Sequence, residues 1–381
     1  MKIILAHAVV ACLTLLLLLS AGCSCPSDRE NLLNANDYGV LTENEGSQNS
    51  RALQTLIDRA AAEGKTVYIP AGEYEFAANG SQTIGSHCIK MLSGVSIMGD
   101  GEQTVLKPVG HSPYGLDMFY FNDYLDTGKA TYLENCRFEN FVIDATETSL
   151  DTYTSAGKGF MFNLFKNCHW KGVTVKNTDA TGFGVDCPID STMTDCSAIG
   201  CGKAATDQSS GASGFGIGFG YSDAESIRII RCTAQDNKKF GFFLEHQGRF
   251  DPNRYSSKTP LGFTVKDCLA EKNLFGFGGV CAVNTLYESC TSQSSRRFGF
   301  YFEDSVSSGA RQCKSREEGE ACFAISQSAT SITDGAENFF MSCTGQSTPI
   351  GVLLSGSDAH AHTRLDGCIF HDVERKCNHS K

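Results

Sequence analysis

A short unit built around one cysteine recurs along most of the chain, and it constrains the fold more than any other feature. Segments such as ENCRFENFVID, IRCTAQDN and DGCIFHDV carry this cysteine at matching positions. The cysteines, 22 to 36 residues apart, are Cys136, Cys168, Cys196, Cys232, Cys268, Cys290, Cys313, Cys343 and Cys368. Such a variable period indicates one supersecondary unit per repeat, with insertions confined to one side.

Each unit also contains a second apolar segment, which usually begins with Gly-Phe. Examples are GFMFNLF, GFGVDCP, GFFLEHQ and GFYFEDS, which have the length of strands and are rich in Phe, Val and Ile. Short strands at a near-constant spacing, without intervening helices, predict an all-β fold. The repeat is typical of a right-handed parallel β-helix. Equivalent residues would stack about 4.8 Å apart, so we expect the cysteines to form one inward-facing ladder of thiols. Pairwise oxidation of neighbouring rungs is the alternative.

The segment before the repeats predicts a helical cap for the solenoid. An apolar helical stripe is formed by Leu53, Leu56, Ile57 and Ala60. Gly64 ends this helix, and TVYIP begins the first strand. We therefore expect one β-helix domain over residues 34–381, with polar loops at 203–213 and 248–260 that frame a binding groove.

The first residues form a targeting segment. Lys2 precedes a long apolar run that ends in LSAGC, as in a secretory signal. This ending resembles a bacterial lipobox, so we predict a lipoprotein-type signal peptide over residues 1–22, lipidation of Cys23 and a tether over 23–33. Cleavage as an ordinary signal peptide is the alternative. The mature protein is expected to be exported and anchored to the bacterial envelope by this lipid, without any other contact with the membrane. If Cys23 is not lipidated, the protein is expected to be secreted.

Composition argues against several classes of function. A net charge of −11 disfavours nucleic-acid binding, which needs a basic face. No CxxC pair or close Cys/His cluster is present, so no metal site is expected. We expect a monomer without a cofactor, and a calcium requirement stays open. Lys238–Lys239 and Arg296–Arg297 each precede an FGF strand and predict either a basic stripe for an anionic glycan or ordinary solvated turn charges.

The N-terminal half resembles a known family. The segments DYGV, ALQTLIDRAAAEGKTVYIPAGEYEF and MLSGVSIMGDGEQTVLKP resemble the opening of pectate-lyase-superfamily β-helix enzymes. They are most similar to the catalytic modules of alginate (mannuronan) C5-epimerases, and the similarity extends over about residues 37–247. The resemblance implies a parallel β-helix and a polysaccharide substrate. Lyases, epimerases and glycosidases share this opening, so it specifies the fold better than the reaction.

The family's central motif, Tyr-Gly-Phe-Asp-Pro-His, is only partly kept. The matching residues 183–188 read FGVDCP, which retains the glycine and the aspartate. The resemblance therefore implies a catalytic role for Asp186, whereas Phe183 and Pro188 replace the tyrosine and the histidine. It also implies that Lys239, and less directly Lys158, are substrate-binding lysines of the groove.

Acidic residues recur at one lateral position of the Gly-Phe strands. The fourth residue after the glycine position reads Asp186, Gly218, Glu245, Val280, Glu303, Ser326 and Ser355 along the chain. Asp186 and Glu245 would be two rungs, about 10 Å, apart, with an open space over Gly218 between them. His246 and Asp304 lie one position further along.

Our first hypothesis is a lyase or epimerase that acts on a uronate-containing glycan. In that reaction a cation, here Lys239 or Arg249, neutralises the substrate carboxylate and so acidifies the C5 proton. His246 would remove this proton, and Tyr255 would supply a mobile acid from its loop.

The runner-up is an inverting glycoside hydrolase. Asp186 and Glu245 would be its paired carboxylates, at a spacing near the roughly 6.5–9.5 Å that inversion requires. Glu303 and Asp304 would then bind sugar hydroxyls further along the groove. A non-catalytic, glycan-binding envelope lipoprotein is the third hypothesis.

Overall fold

The computed structural model describes residues 31–247, 262–327, 337–356 and 363–380. Its strands form one continuous parallel arrangement, the right-handed β-helix that the repeats predict. Successive coils stack in register and contribute to three faces, which we call the groove face, the second face and the third face. No helix among these residues is long and apolar enough to cross a membrane.

The groove face is the stack built from the Gly-Phe segments. Its strands are Gly85–Lys90, Leu116–Phe121, Phe160–Lys166, Phe183–Ile189, Phe215–Phe219, Phe240–His246, Phe275–Val280, Phe298–Glu303, Ala321–Ser326 and the second halves of Thr344–Ser355 and Ile369–Ser380.

The other two faces are built from shorter strands on either side of a sharp corner. The second face contains Leu32–Asn34, Thr66–Tyr68, Ser96–Met98, the first halves of Arg137–Asp144 and His169–Lys176, Ser191–Thr194, Ser226–Ile230, Gly262–Lys266, Thr285–Glu288, Gly309–Arg311, Asn338–Met341 and Thr363–Asp366. The third face contains Gly72–Phe76, Thr104–Pro108, the second halves of Arg137–Asp144 and His169–Lys176, Ser197–Ile199, Thr233–Gln235, Leu269–Glu271, Thr291–Gln293, Lys314–Arg316 and the first halves of Thr344–Ser355 and Ile369–Ser380.

Short elements complete the chain. They are the helices Gly46–Glu63 and Asp123–Thr127, the 3₁₀ turns Ala35–Tyr38 and Gly101–Gln103, and the strands Gly80–Gln82, Gly110–His111, Leu133–Glu134 and Thr148–Ser149.

The core behind the groove face is a column of stacked phenylalanines, one per coil. It consists of Phe119, Phe160, Phe183, Phe215, Phe242, Phe277, Phe300 and Phe323, with ring centroids 4.7–5.4 Å apart. Because strand residues alternate between two faces, this inward column directs the residues next to each phenylalanine to the outside. Phe183 therefore occupies the core, where a tyrosine hydroxyl would need a buried partner.

The cysteines stack inward as predicted, but they form two ladders and not one. Cys136 and Cys168 form a first ladder that ends on a serine, because the Cys168 amide donates to Ser191 Oγ at 3.2 Å. The second ladder contains Cys196, Cys232, Cys268, Cys290, Cys313, Cys343 and Cys368, and the described cysteines are free thiols.

One long strand separates the two ladders. His169–Lys176 pairs with two strands of the next coil, Ser191–Thr194 and Ser197–Ile199, and Cys196 lies at the new corner between them. From there on, the residue before each ladder cysteine has a positive φ of 51–61°, which turns the chain between the second and third faces. The repeat spacing alone could not reveal this change of corner.

The predicted cap is confirmed. Helix Gly46–Glu63 buries the expected apolar stripe, and Gly64 ends it with a φ of 65°. The Asn49 and Ser50 side chains donate to backbone carbonyls of the first coil.

The predicted start of the domain needs a correction. The first described strand is Leu32–Asn34, which pairs with Thr66–Tyr68 and buries Leu33. The tether predicted over residues 23–33 therefore overlaps the solenoid at its last two residues. The predicted signal peptide and Cys23 lie outside the described residues.

A third corner, between the third face and the groove face, carries buried polar side chains that bond from coil to coil. Asn237 accepts from the Cys201 amide at 3.0 Å, and Asn273 accepts from the Asn237 amide at 2.9 Å. Two coils later this role passes to Glu318, which accepts from the Ser295 amide at 2.6 Å. Such bonds satisfy backbone donors that the turns leave unpaired.

Candidate active site on the groove face

The acidic column predicted from the sequence is confirmed by the strand register. Asp186 pairs with Gly218, Gly218 with Glu245, and Glu245 with Val280. The pairing continues from Val280 to Glu303 and then through the two serines of the following coils. The column therefore runs parallel to the solenoid axis on the outside of the groove face.

A groove of about 580 Å³ covers the downstream part of this column. Its apolar lining includes five aromatic side chains, which are Phe240, Phe243, Phe275, Phe298 and Tyr301. Its polar lining includes Asp207, Lys239, Glu245, Glu303, Arg297 and Glu320. An aromatic floor beside a few convergent polar groups is typical of a ligand site.

Glu245 and Glu303 are the two groove-lining carboxylates of the column. Val280 lies between them in register, so their backbones are two rungs, about 10 Å, apart. Both carboxylates act electrostatically on Lys239, whose amine donates to the Ser209 carbonyl at 3.0 Å. The groove therefore brings together three of the residues singled out from the sequence.

Burial and two neighbouring carboxylates have opposite effects on the pKa of Lys239. Burial disfavours the ammonium form and lowers the pKa of Lys239, whereas Glu245 and Glu303 partly oppose this shift. Lys239 thus lies beside two acidic side chains, at the edge of an apolar floor.

Tyr301 is a groove residue that the sequence analysis missed. Its hydroxyl donates to Glu303 at 3.1 Å, and its ring packs 5.4 Å from Phe275 and 5.3 Å from Phe298. Burial, followed by the Glu303 charge, raises the pKa of Tyr301, so the hydroxyl stays protonated and orients the carboxylate. Phe240 packs against Phe275 in the same outer cluster, and each of these phenylalanines stands before the Gly of an FGF or FGFG segment. That repeated position is the signal that could have revealed the floor.

The open space expected over Gly218 is absent. A Cβ placed on Gly218 would collide with the Asp186 carboxylate and the Gln247 amide, so these two side chains occupy the space. Lys158 lies next to them, because its side chain crosses Gly184, two residues before Asp186 on the same strand. Its backbone amide donates to the buried Asp117 at 2.7 Å. Asp186 and the Lys158 side chain thus lie at neighbouring outward positions of the groove face, upstream of the groove.

His246 and Asp304 are not among the residues that line the groove. His246 packs against Phe219, with ring centroids 5.3 Å apart, and against Gly220. Asp304 occupies a turn with a φ of 45°. Arg249, Tyr255 and the predicted loop at 248–260 lie outside the described residues.

Most of the predicted basic stripe is neutralised by acids. Asp207, from the loop at 203–213, pairs with Arg296 at 3.0 Å and with Lys238 at 3.4 Å. Arg297 pairs with Glu320 at 2.6 Å. The loop at 203–213 therefore forms one wall of the groove, as expected of an insertion, and is fastened by charge.

Within the described ranges, no group of three or more His, Cys, Asp or Glu side chains could hold a metal ion.

Curated relatives match this chain over a short segment. Mannuronan C5-epimerase AlgE1 of Azotobacter vinelandii is 42% identical over 84 residues, which are 21% of this chain and 6% of that protein. Mannuronan C5-epimerase AlgE4 of the same organism is 42% identical over 82 residues, which are 21% of this chain and 14% of the relative. The chain thus matches only a small part of the length of these relatives.

Solved structures with this fold span most of the chain at low identity. The A-module of AlgE4 superimposes with a TM-score of 0.50 and 16% identity, covering 91% of this chain and 97% of that one. A tailspike protein of E. coli bacteriophage HK620, solved with a pentasaccharide, superimposes with a TM-score of 0.61 and 14% identity. The match covers 92% of this chain and 64% of the tailspike chain. PfbA, a surface adhesin of Streptococcus pneumoniae, superimposes with a TM-score of 0.52 and 11% identity. The match covers 92% of this chain and 93% of the PfbA chain. These likenesses concern the fold alone.

A family model described as "Rhamnogalacturonase A/epimerase, pectate lyase-like" matches residues 32–236, more than half of the chain. This segment runs from the first strand of the solenoid to the coil that precedes the groove floor. The chain therefore belongs to the pectate-lyase-like rhamnogalacturonase A/epimerase family.

Proposed function

We propose that the protein is an enzyme that processes an extracellular polysaccharide and that Glu245 and Glu303 are its catalytic pair. The observation that carries this proposal is the register Glu245–Val280–Glu303, with both carboxylates lining one groove. The Asp186–Glu245 pair expected from the sequence stays a prediction, and the Asp186 carboxylate and the Gln247 amide occupy the space over Gly218 between its two members. Two rungs place the two backbones about 10 Å apart, close to the roughly 6.5–9.5 Å between carboxyl groups that leaves room for a water molecule in inverting glycoside hydrolysis.

The geometry suggests a role for each carboxylate. Glu303 accepts a hydrogen bond from the Tyr301 hydroxyl. We assign it as the base that takes a proton from the attacking water. Glu245 then protonates the leaving glycosidic oxygen from the other side of the sugar. The aromatic floor holds the apolar faces of the sugar rings beside the pair.

The names of relatives supply independent support for a polysaccharide partner. The curated matches are mannuronan C5-epimerases, and one structural neighbour was solved with a pentasaccharide. A long groove that runs along a solenoid also suits an extended chain.

A second candidate is a lyase or epimerase acting on a uronate glycan. Lys239 favours it, because this lysine lies beside both carboxylates and could neutralise a substrate carboxylate. Glu245 or Glu303 would then remove the C5 proton. The assignments of Asp186 and His246 remain predictions for either reaction.

The deciding experiment is an NMR time course in heavy water with a panel of polyuronates and neutral glycans. Hydrolysis produces new reducing ends with inverted anomeric configuration, a lyase produces unsaturated ends, and an epimerase places deuterium at C5 without cleavage. Binding without turnover would favour the non-catalytic hypothesis.

Variants connect the result to the pair. We expect Glu245→Gln and Glu303→Gln each to lose roughly 10²- to 10⁴-fold in kcat, the usual contribution of a general acid or base. Glu317→Gln, an exposed neighbour outside the groove, is the control. Full activity in both groove variants would refute the assignment.

We further propose that the protein is exported and anchored by lipid at Cys23, on the strength of the LSAGC segment. Cell fractionation should find the wild type with membranes. Cys23→Ser should release the protein from the membrane fraction or block its maturation, and unchanged fractionation would argue against the anchor.

A further inference from the structure

The second thiol ladder ends at two cysteines whose surroundings differ from those of the other rungs. Cys343 and Cys368, here called the terminal pair, precede strands that are in register at Thr344 and Ile369. The Ile369 amide donates to the Cys343 carbonyl at 2.9 Å, so the two backbones are adjacent rungs. The two thiols lie within hydrogen-bonding reach of each other.

Accessibility distinguishes Cys368 from the rest of the ladder. The other thiols of this ladder, from Cys196 to Cys343, are at most 2% exposed and are covered by a coil on each side. Cys368 is only half-buried, and many of its neighbours on the last coil are exposed. Leu365 and Ile369 beside it are 41% and 55% exposed. A small oxidant can therefore reach Cys368 while the inner thiols stay covered.

Geometry and chemistry both permit a bond between the two sulfurs. Adjacent rungs are about 4.8 Å apart, which lies within the Cα separation of disulfides. Hydrogen bonds from the Cys313 and Cys368 thiols lower the pKa of Cys343, because they stabilise its thiolate. The thiolate is the attacking species in disulfide exchange.

We propose that Cys343 and Cys368 form a redox modification site that a disulfide oxidant such as oxidised glutathione converts into an intrachain disulfide. The hydrogen bond to Cys343 raises the pKa of the Cys368 thiol, so a solvent base must first remove its proton. The resulting Cys368 thiolate attacks the oxidant, forms a mixed disulfide and expels one glutathione thiolate. The Cys343 thiolate then attacks the Cys368 sulfur and expels the second. The two protein thiols lose two electrons and two protons, which convert one oxidised glutathione into two reduced molecules.

The bond would act on the last coil of the groove. The segment that it closes contains the whole strand Thr344–Ser355, from which Leu353 and Ser355 line the groove. Closing this loop restricts the unfolded chain and ties the terminal coil to the preceding one. The modification thus stabilises the downstream end of the candidate active site.

The test is oxidation of the purified full-length protein with oxidised glutathione, followed by alkylation and non-reducing peptide mapping by mass spectrometry. We expect a peptide linked through Cys343 and Cys368, and a higher Tm than that of the reduced protein. Cys368→Ser should abolish both the link and the Tm difference. Cys377→Ser, on the same terminal strand but outside the ladder, should leave both unchanged.

Three results would overturn the proposal. They are a lasting glutathione adduct on Cys368 without a protein–protein link, a link between Cys313 and Cys343, and a terminal pair that stays fully alkylated after oxidation. Cys313→Ser is the matched ladder control and should still form the Cys343–Cys368 bond. Because the readout is a linked peptide, a variant with lowered stability does not obscure the wild-type result.

Discussion

The candidate site depends on a few side chains that interrupt an otherwise repetitive outer surface. The column two residues before the acidic one reads Gly184, Gly216, Phe243, Gly278 and Tyr301 along paired strands. Between Gly184 and Tyr301, aromatic rings enter this column at the two coils whose carboxylates line the groove. Individual substitutions on neighbouring rungs can therefore separate binding from chemistry.

Replacing Tyr301 with phenylalanine tests the orientation of Glu303. The variant keeps the ring packing against Phe275 and Phe298 and removes only the hydroxyl that donates to Glu303. We expect a roughly 10- to 100-fold loss in kcat with little change in KM, since one hydrogen bond to a charged group contributes about 1.5–3 kcal/mol. The pH profile of kcat should shift as well.

The control for this variant is Tyr68→Phe, which removes a hydroxyl bonded to Asp100 near the N-terminal end of the solenoid. If both variants keep full activity and the same pH profile, Tyr301 is structural only.

Gly218→Ala tests whether Asp186 takes part in the reaction. The added methyl would displace the Asp186 carboxylate and the Gln247 amide, both of which are ends of flexible side chains. We expect the fold to persist with a small loss of stability, of about 1 kcal/mol. A fall in kcat would then support the role of Asp186 that the family resemblance implies.

Gly216→Ala is the matched variant, because its methyl would meet only Thr181, at 3.1 Å. Equal activities of the two alanine variants would count against a catalytic Asp186.

At the scale of elements, the loop at 203–213 turns a sequence insertion into a groove wall. Asp207 joins this loop to Arg296 and Lys238, which belong to two later coils. The Tyr153 hydroxyl adds bonds to the carbonyls of Ser210 and Gly211, both at 2.7 Å. The loop is thus held by Tyr153 on one side and by the ion pairs of Asp207 on the other, and these ion pairs are exposed to solvent.

Asp207→Asn should loosen this wall without unfolding the protein. Exposed ion pairs contribute little to stability, so we expect an unchanged Tm within error and a KM raised a few-fold. Because the Arg296 and Lys238 charges lower the pKa of Asp207, the effect should be present at neutral pH and disappear as acid protonates the wild-type carboxylate.

Asp195→Asn, which breaks the exposed pair with Arg231 on a different face, is the control for Asp207→Asn. Equal KM values for the two variants would mean that the wall does not contact substrate.

Elements also mark the limit of what the sequence predicts. The acidic column follows from counting residues within each Gly-Phe strand, because register stacks equivalent positions. The division of the thiol ladder could not be foreseen, since it depends on His169–Lys176 being long enough to pair with two strands. Likewise, the occupied space over Gly218 depends on the side-chain conformations of Asp186 and Gln247, which no spacing encodes.

At the scale of the whole molecule, Glu318 is one of the described buried acids that make stability depend on pH. Glu318 is 2% exposed, and desolvation raises its pKa from 4.5 to about 7, although bonds with Ser295 and Ser315 oppose the shift. Since the folded pKa is raised, this group's contribution to stability is fully present below pH 4.5 and is lost as the pH rises through 7.

Glu318→Gln should remove this dependence. At pH 8 we expect the free energy of unfolding to rise by as much as ~3 kcal/mol, and at pH 4 we expect almost no difference. Denaturant unfolding of both proteins at the two pH values measures this, with Glu317→Gln as the exposed control. A variant that is destabilised equally at both values would contradict the argument.

The fold class itself could be predicted because every coil repeats the same pattern. The same uniformity would allow a coil to stack on the wrong neighbour during folding. A thiol ladder and a phenylalanine column offer the same neighbour to every rung, so they cannot tell one coil from the next. The polar side chains at the third corner differ along the chain, from Asn237 and Asn273 to Ser295 and then Glu318. A coil that skipped a neighbour during folding would leave a buried donor unmatched. The buried polar side chains of this corner therefore distinguish one coil from the next, and they favour the native order of coils during folding.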